Sequence, residues 1–163
     1  MSPSRPEPPG SHKEHAEVSI RAATPADIPA LTALLAALFA LESDFAPDGA
    51  RQRAGLAALL ASPQARVFVA EAGQGVIGMC TVQVLISTAQ GGRVGLVEDV
   101  IVRNGWRGRG VGRALLAALE DWARGDGLSR LQLLANVDNR PAHDFYRKSG
   151  WSETRLGAWR RFL

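Results

Sequence analysis

Ile28, Leu31, Leu34, Leu35, Leu38 and Leu41 recur at the spacing of one helical face, so the chain shows its first clear element early. Thr24 can cap that helix, Pro25 suits its first position, and Asp27 falls three residues after the cap. A short strand over 18–21 precedes it. A second helix is predicted over 50–60, with Leu56, Leu59 and Leu60 facing inward. The period then drops to two. "RVFVAEA" (66–72) and "VIGMCTVQVLIST" (76–88) read as strands joined by "GQG" in a hairpin, and "AQGG" (89–92) turns the chain into a third strand over 94–102. Val111, Ala114, Leu115, Ala118, Leu119 and Trp122 return to helical spacing, with "GDG" (125–127) as the stop. "LQLLANV" (131–137) reads as another strand, and 140–149 as a last helix with Pro141 near its start and Gly150 at its end. "WSETRLGAWRRFL" (151–163) is expected to supply one or two final strands. The order is β-α-α-β-β-β-α-β-α-β, an α/β (α+β) pattern on one domain over 17–163.

Residues 1–16 are rich in Pro, Ser, Gly and charge, and a disordered tail is expected there. The stretch lacks an apolar run of the signal-peptide kind, and no run approaches the roughly 20 residues of a bilayer span, so the expected location is cytoplasmic and away from membranes. Nineteen basic residues against sixteen acidic ones give a net charge of +3, which argues against a dedicated nucleic-acid binder. The single cysteine, Cys80, excludes an intrachain disulfide and a cysteine metal cluster; its apolar strand predicts a buried, inert thiol. No metal site is expected.

The sequence between the third strand and the helix at 111 is the chemical puzzle. "RNGWRGRGVGR" crowds Arg107, Gly108, Arg109, Gly110, Gly112 and Arg113 ahead of a helix start. A P-loop needs Lys and Ser or Thr after its last glycine, and Val111 stands there instead. A dinucleotide fingerprint needs a third glycine where Arg113 stands. What remains is R-x-x-G-x-G between a strand and a helix. Glycines let a backbone come close to an anion, and a helix N-terminus offers unpaired N–H groups and partial positive charge. On the residues alone, an ordinary glycine-rich turn remains open beside this reading.

The order of elements and the segment "VEDVIVRNGWRGRGVGRALL" resemble the GNAT superfamily of N-acetyltransferases. "NRPAHDFYRKSGW" (139–151) resembles that family's N-x-x-A-x-x-F-Y-x-x-x-G-F pattern, with Trp151 in place of the usual Phe. Arg103-Asn104 stands where Asp-Pro is common. The resemblance covers about residues 17–163. It implies a mixed, twisted sheet of six to seven strands with helices on both faces, splayed between strands 4 and 5, and it implies acetyl-CoA as cosubstrate. Arg107 to Arg113, Val111 included, would hold the pyrophosphate through backbone N–H groups. Val100, Ile101 and Val102 would pair with the pantetheine arm like a neighbouring strand. Asn139 would help hold that arm, and Ala135 and Asn136 would line the opposite wall.

Acetyl transfer to an amine needs a proton acceptor, stabilisation of the thioester oxygen, and a proton for the leaving thiolate. The resemblance implies Tyr146 as the acid; by its residues alone it could equally be a core aromatic beside Phe145. Glu98 and Asp99 interrupt an apolar strand and are the base candidates, since a lone carboxylate buried there needs a partner or a task. Neighbours on a strand point to opposite faces, so only one should face the cleft unless a bulge intervenes. The expectation favours Glu98, working through water; pairing of both with surface arginines stays open. The N–H near Ile101 is expected to polarise the thioester carbonyl. His143 is expected on the solvent side of the last helix. Glu42, Asp44 and Asp48 could draw a cationic amine, or simply form a solvated loop. The reading is therefore an N-acetyltransferase acting by direct attack on a primary amine of a small molecule, with a protein-amine acetyltransferase or a silent acyl-CoA-binding domain as alternatives. "AWRRFL" is apolar enough to allow a homodimer.

Overall fold

The computed structural model describes residues 17–41, 46–73 and 75–163. Its elements are β1 (Val18–Ala22), a 3-10 turn (Pro25–Asp27), α1 (Ile28–Phe39), α2 (Gly49–Ala61), β2 (Ala65–Ala72), β3 (Gly75–Ser87), β4 (Gly92–Val102), α3 (Val111–Gly125), β5 (Leu131–Leu133) and α4 (Arg140–Lys148). The strands form one sheet in the order β1-β2-β3-β4-β5. The first four are antiparallel neighbours and β5 runs parallel to β4, so the sheet is mixed.

Strand alternation divides the core into two layers. Phe68, Ala70, Cys80, Val82 and Val97 face Val111, Leu115 and Leu119 of α3. Val67, Val69, Met79 and Ile101 face Leu31, Leu34 and Leu35 of α1 and Leu56 of α2. Helices thus cover both faces, as expected. The turn before α1 is fixed by charge: Arg21 donates to both oxygens of Asp27 at 2.8 Å and to Glu71 at 2.9 Å. The Thr24 N–H donates to the same Asp27 carboxylate at 2.7 Å. These bonds hold the buried Asp27 carboxyl well below the usual carboxylate range. They also explain why Pro25–Asp27 is a tight 3-10 turn and α1 begins only at Ile28.

Three expectations need correction. The sheet has five strands, not six to seven. The strand expected over 131–137 stops at Leu133, and its pairing with β4 covers only Gly95, Leu96 and Val97. No strand forms over 151–163 among the described residues; large side chains there stand in solvent, Trp159 at 98% exposure. The pairing of β4 with β5 ends at Val97 and Leu133, beside the residues that line the groove described below.

Candidate active site

Just past the end of its pairing with β5, β4 carries an irregularity against β3. Thr81 faces Glu98 and Met79 faces Ile101 across the β3–β4 ladder, so Cys80 alone opposes both Asp99 and Val100. This is a one-residue bulge, and Asp99 sits in the left-handed region at φ 54°, a conformation rare for a residue with a side chain. The bulge resets the alternation. Val97 and Val100 both pack on the α3 layer, while Ile101 belongs to the α1–α2 layer. Both carboxylates are consequently carried to the α1–α2 face. Asp99 accepts a hydrogen bond from Thr81 at 3.4 Å, and Glu98 accepts one from Gln83 Nε2 at 3.2 Å, two β3 residues on that same face.

The two acids differ in environment. Glu98 is exposed, whereas Asp99 is half-buried. Burial, with the neighbouring Glu98 charge as a smaller contribution, pushes the Asp99 carboxyl up to about 6, against a weak opposing pull from Thr81. Neither acid pairs with an arginine in any ion pair of the described residues.

Beyond Val102 the chain forms the arginine- and glycine-rich bend. Gly105, Gly108 and Gly110 all have positive φ, and Gly110 at φ 82° is the N-cap of α3. A glycine cap brings no side chain, so the first N–H groups of α3, at Val111, Gly112 and Arg113, are not capped from their own helix end. That is the arrangement an anion needs. The side chains of two of the arginines have contacts of their own within the bend. Arg107 donates its Nε to the Val102 carbonyl at 2.9 Å, and the Arg109 guanidinium stacks 5.3 Å from the Trp106 ring centre. Both brace the bend; Arg113 stands on the first turn of α3, exposed.

The opposite wall is β5, the loop after it, and α4. Asn136 Oδ1 accepts from the Asp138 N–H at 2.9 Å, and Asn139 Oδ1 caps α4 by accepting from the Ala142 N–H at 3.2 Å. Asn139 thus has a structural task besides any contact to a ligand. A groove of about 740 Å³ runs between the walls. Val100, Ile101, Val102, Arg107, Gly108 and Gly112 line one side; Asn136, Asn139, Phe145 and Tyr146 line the other. Arg109, Gly110, Val111 and Arg113 stand outside this lining, as do Glu98 and Asp99, the latter one residue before Val100. A Cβ on Gly112 would come within 3.1 Å of the Phe145 ring, so this glycine sets how closely α4 approaches α3. Tyr146 stacks between Phe145 and Trp151, with ring centres 5.2 and 6.1 Å away.

Several residues were placed wrongly or overlooked from sequence. His143 is half-buried, not solvent-facing, and its Nε2 lies 3.0 Å from the Asn136 carbonyl. Asp48 caps α2 through the N–H groups of Ala50 and Arg51, while Glu42 and Asp44 lie outside the described residues. Thr81 and Gln83 went unnoticed, although their alternation with Cys80 and Val82 marks them as the polar side of β3. Leu38 and Leu41 close the groove from the α1 side. Cys80 is buried, and burial pushes its thiol up to about 12, which fits an inert packing role. Among the described residues no cluster of His, Cys, Asp and Glu could hold a metal ion, and no helix is long and apolar enough to cross a membrane.

With this geometry described, known proteins give a consistent comparison. The acetyltransferase (GNAT) family model matches residues 35–151. The chain is 34% identical over 140 residues to an aminoglycoside N(6')-acetyltransferase type 1 of Stenotrophomonas maltophilia, covering 83% of this chain and 87% of the relative. It is 29% identical over 135 residues to an aminoalkylphosphonate N-acetyltransferase of Salmonella typhimurium, covering 83% and 85%. Among solved structures, an aminoglycoside N-acetyltransferase in complex with CoA superposes with a TM-score of 0.78 at 18% identity, over 92% of this chain and 97% of that one. That last likeness is one of fold.

Proposed function

The chain belongs to the acetyltransferase (GNAT) family, an acyl-CoA-dependent transferase, and from that premise we propose that it moves the acetyl group of acetyl-CoA directly to a primary amine of a small, positively charged molecule, with amino sugars as the first class to test. The observation that carries the reading is the bulge at Asp99–Val100. It sets a carboxyl raised to about 6 beside the strand edge where β4 leaves β5.

The residues present suit acetyl-CoA. The uncapped first turn of α3 behind Gly110 would take the pyrophosphate, and the β4 edge from Val100 to Val102 would take the pantetheine amides, with Asn136 and Asn139 opposite. When bound, the cosubstrate supplies an activated acyl group and a thiolate leaving group.

The chain's own residues do the rest. The geometry moves the preferred base from Glu98 to Asp99. A carboxylate with its affinity for protons raised by burial accepts the amine's proton better than an ordinary surface carboxylate. Glu98, exposed and steadied by Gln83, attracts the ammonium groups of the acceptor to this face. The Ile101 N–H polarises the thioester carbonyl. Tyr146, across the groove, returns a proton to sulfur; phenols and alkyl thiols have comparable pKa values, near 10 for the phenol.

The relatives support a small-molecule amine over a protein: one is named for an aminoglycoside and one for an aminoalkylphosphonate. The test is release of free thiol from acetyl-CoA with a panel holding an aminoglycoside, an aminoalkylphosphonate, a polyamine and a lysine peptide. Release with the aminoglycoside is expected. Release with the lysine peptide alone would turn the reading toward protein acetylation. CoA binding without release by any amine would leave a silent binding domain.

A further inference from the structure

We propose that Gln52 binds a hydroxyl of the acceptor next to the reacting amine, so that the preferred substrate is an amino alcohol; this rests on the acetyl-transfer reading above. Gln52 is 8% exposed, and among the described residues neither its Oε1 nor its Nε2 has a hydrogen-bond partner. Buried side-chain amides are mostly bonded, because an unbonded one gives up its water and receives nothing in return. Leucine or methionine would fill the position without that penalty. A polar group held there at the expense of stability points to a task in function.

The fold sets that task beside Asp99. α2 fully buries only Gln52 and Leu56, four residues apart on one face. Leu56 packs in one layer with Leu31 and Leu35 of α1 and with Val67 and Met79 of the sheet. This is the face to which the bulge carries Asp99. Across the β2–β3 ladder Val67 faces Thr81, and Thr81 donates to Asp99. The layer under Leu56 therefore continues, one strand over, into the carboxyl proposed as the base.

The course of the two helices puts Gln52 on the groove side of Leu56. Each helix has one end at the start of β2. The Ala23 N–H, just before α1, donates to the Val67 carbonyl at 2.8 Å, and α2 leads through 62–64 into Ala65. From there α1 runs to Leu38 and Leu41 at the groove. α2 begins beside the middle of α1, where a Cβ on Gly49 would lie 3.9 Å from the Thr32 methyl. Gln52 is thus one turn farther than Leu56 from the start of β2 and nearer the groove. Its flexible side chain lets the amide swing toward an acceptor held at Asp99.

The amide also selects the chemistry. Oε1 only accepts and Nε2 only donates. An ammonium would satisfy the oxygen alone, and a phosphonate the nitrogen alone. A hydroxyl does both and can bridge the pair.

The test compares 2-aminocyclohexanol with cyclohexylamine as acceptors for the full chain and for Gln52→Met, a swap of similar shape. Thiol release from acetyl-CoA gives kcat and KM, and thermal melting gives stability. The wild type is expected to favour the amino alcohol about 10- to 100-fold in kcat/KM, mostly through KM. In the variant that preference should vanish. The variant should also melt higher, by roughly 2–4 °C, because it no longer buries an unbonded amide. A wild type without the preference, or a variant that keeps it, overturns the proposal. So does a variant that melts no higher, since the amide is then bonded within the free protein. If neither amine releases thiol, the acetyl-transfer reading fails by itself. Binding to the protein–CoA complex then decides the Gln52 proposal: the amino alcohol should raise the melting temperature of the wild type and leave that of the variant unmoved, and any other result overturns it.

Discussion

The two walls of the groove are built differently. On one side, α3 buries Val111, Leu115, Leu116, Leu119 and Ala123, and β4 runs the eleven residues Gly92–Val102 inside the sheet. On the other, β5 is the three residues Leu131–Leu133, and α4 has no fully buried residue. The first wall owes its position to the core. The second is held by a few discrete contacts: the Asn139 cap, the Phe145 ring against Gly112, and the Trp151–Glu120 bond. A site divided in this way can keep the glycine-rich bend and Asp99 fixed while the wall that carries Tyr146 is the less stable part.

Asp99, proposed above as the base, gives the largest expected effect. Asp99→Asn is expected to lower kcat/KM about 10²- to 10⁴-fold, the span typical of lost general acid–base help. The rise in kcat/KM through pH about 6 should vanish with it. Stability should move the other way. Burial raises this carboxyl, so the native chain holds the proton more tightly than the unfolded chain. Asp99's contribution is therefore fully present below the ordinary carboxylate range and lost as the pH climbs through about 6. Asparagine removes that loss, a gain of at most roughly 3 kcal/mol at pH 8. An inactive and unstable variant would mark Asp99 as structural; an active one whose pH step survives would return the role to Glu98 or water.

On the second wall, Tyr146→Phe keeps the ring stack and removes the proton. We expect kcat to fall about 10²-fold with acetyl-CoA affinity unchanged. Unchanged turnover would leave the thiolate to be protonated by solvent.

The same division explains what the sequence disclosed. The first wall was legible because its signals are local and repeated: a period-two run into Val102, glycines at the bend, and an apolar stripe from Val111 to Trp122. The paired motifs include Arg107, Gly108 and Gly112 on one side of the groove and Asn139 and Tyr146 on the other, while Arg109, Gly110, Val111 and Arg113 lie outside its lining. The bulge was not legible. "VEDVIV" looks like an unbroken strand, and the fact that Cys80 opposes two residues belongs to β3 as much as to β4. That hidden register decides which way Glu98 and Asp99 point, and so which of them is the more buried. The second wall misled for the converse reason. "LQLLANV" has strand composition, but composition does not fix where pairing ends, and β5 leaves β4 after Val97 although β4 runs on to Val102. The expected final strands fail on the same ground within one chain.

Gly110→Ala probes the bend between the walls. A Cβ there meets nothing within 4 Å, so the cost lies in the backbone, held at φ 82°. An L-residue in that region loses about 1–2 kcal/mol. The chain can recover part of it only by turning the first α3 N–H groups away from the groove. Acetyl-CoA should bind about tenfold more weakly, read by calorimetry, with kcat little changed. Undiminished affinity would reduce the bend to a turn with no part in binding.

The smallest effect bears most directly on the comparison. Trp151→Phe keeps a ring beside Tyr146 and deletes the indole donor to Glu120, which retains Arg124 at 3.3 Å as a partner. With no charge left stranded, the loss of global stability should be about 1 kcal/mol or less. The distribution of that loss is the informative part. If α4 hangs on discrete contacts, its amides should exchange several times faster while those of α3, anchored by Leu115 and Leu119 in the core, barely respond. Equal acceleration in the two helices would mean that both walls open as one cooperative unit, and the division into a fixed wall and a looser one would have to be abandoned.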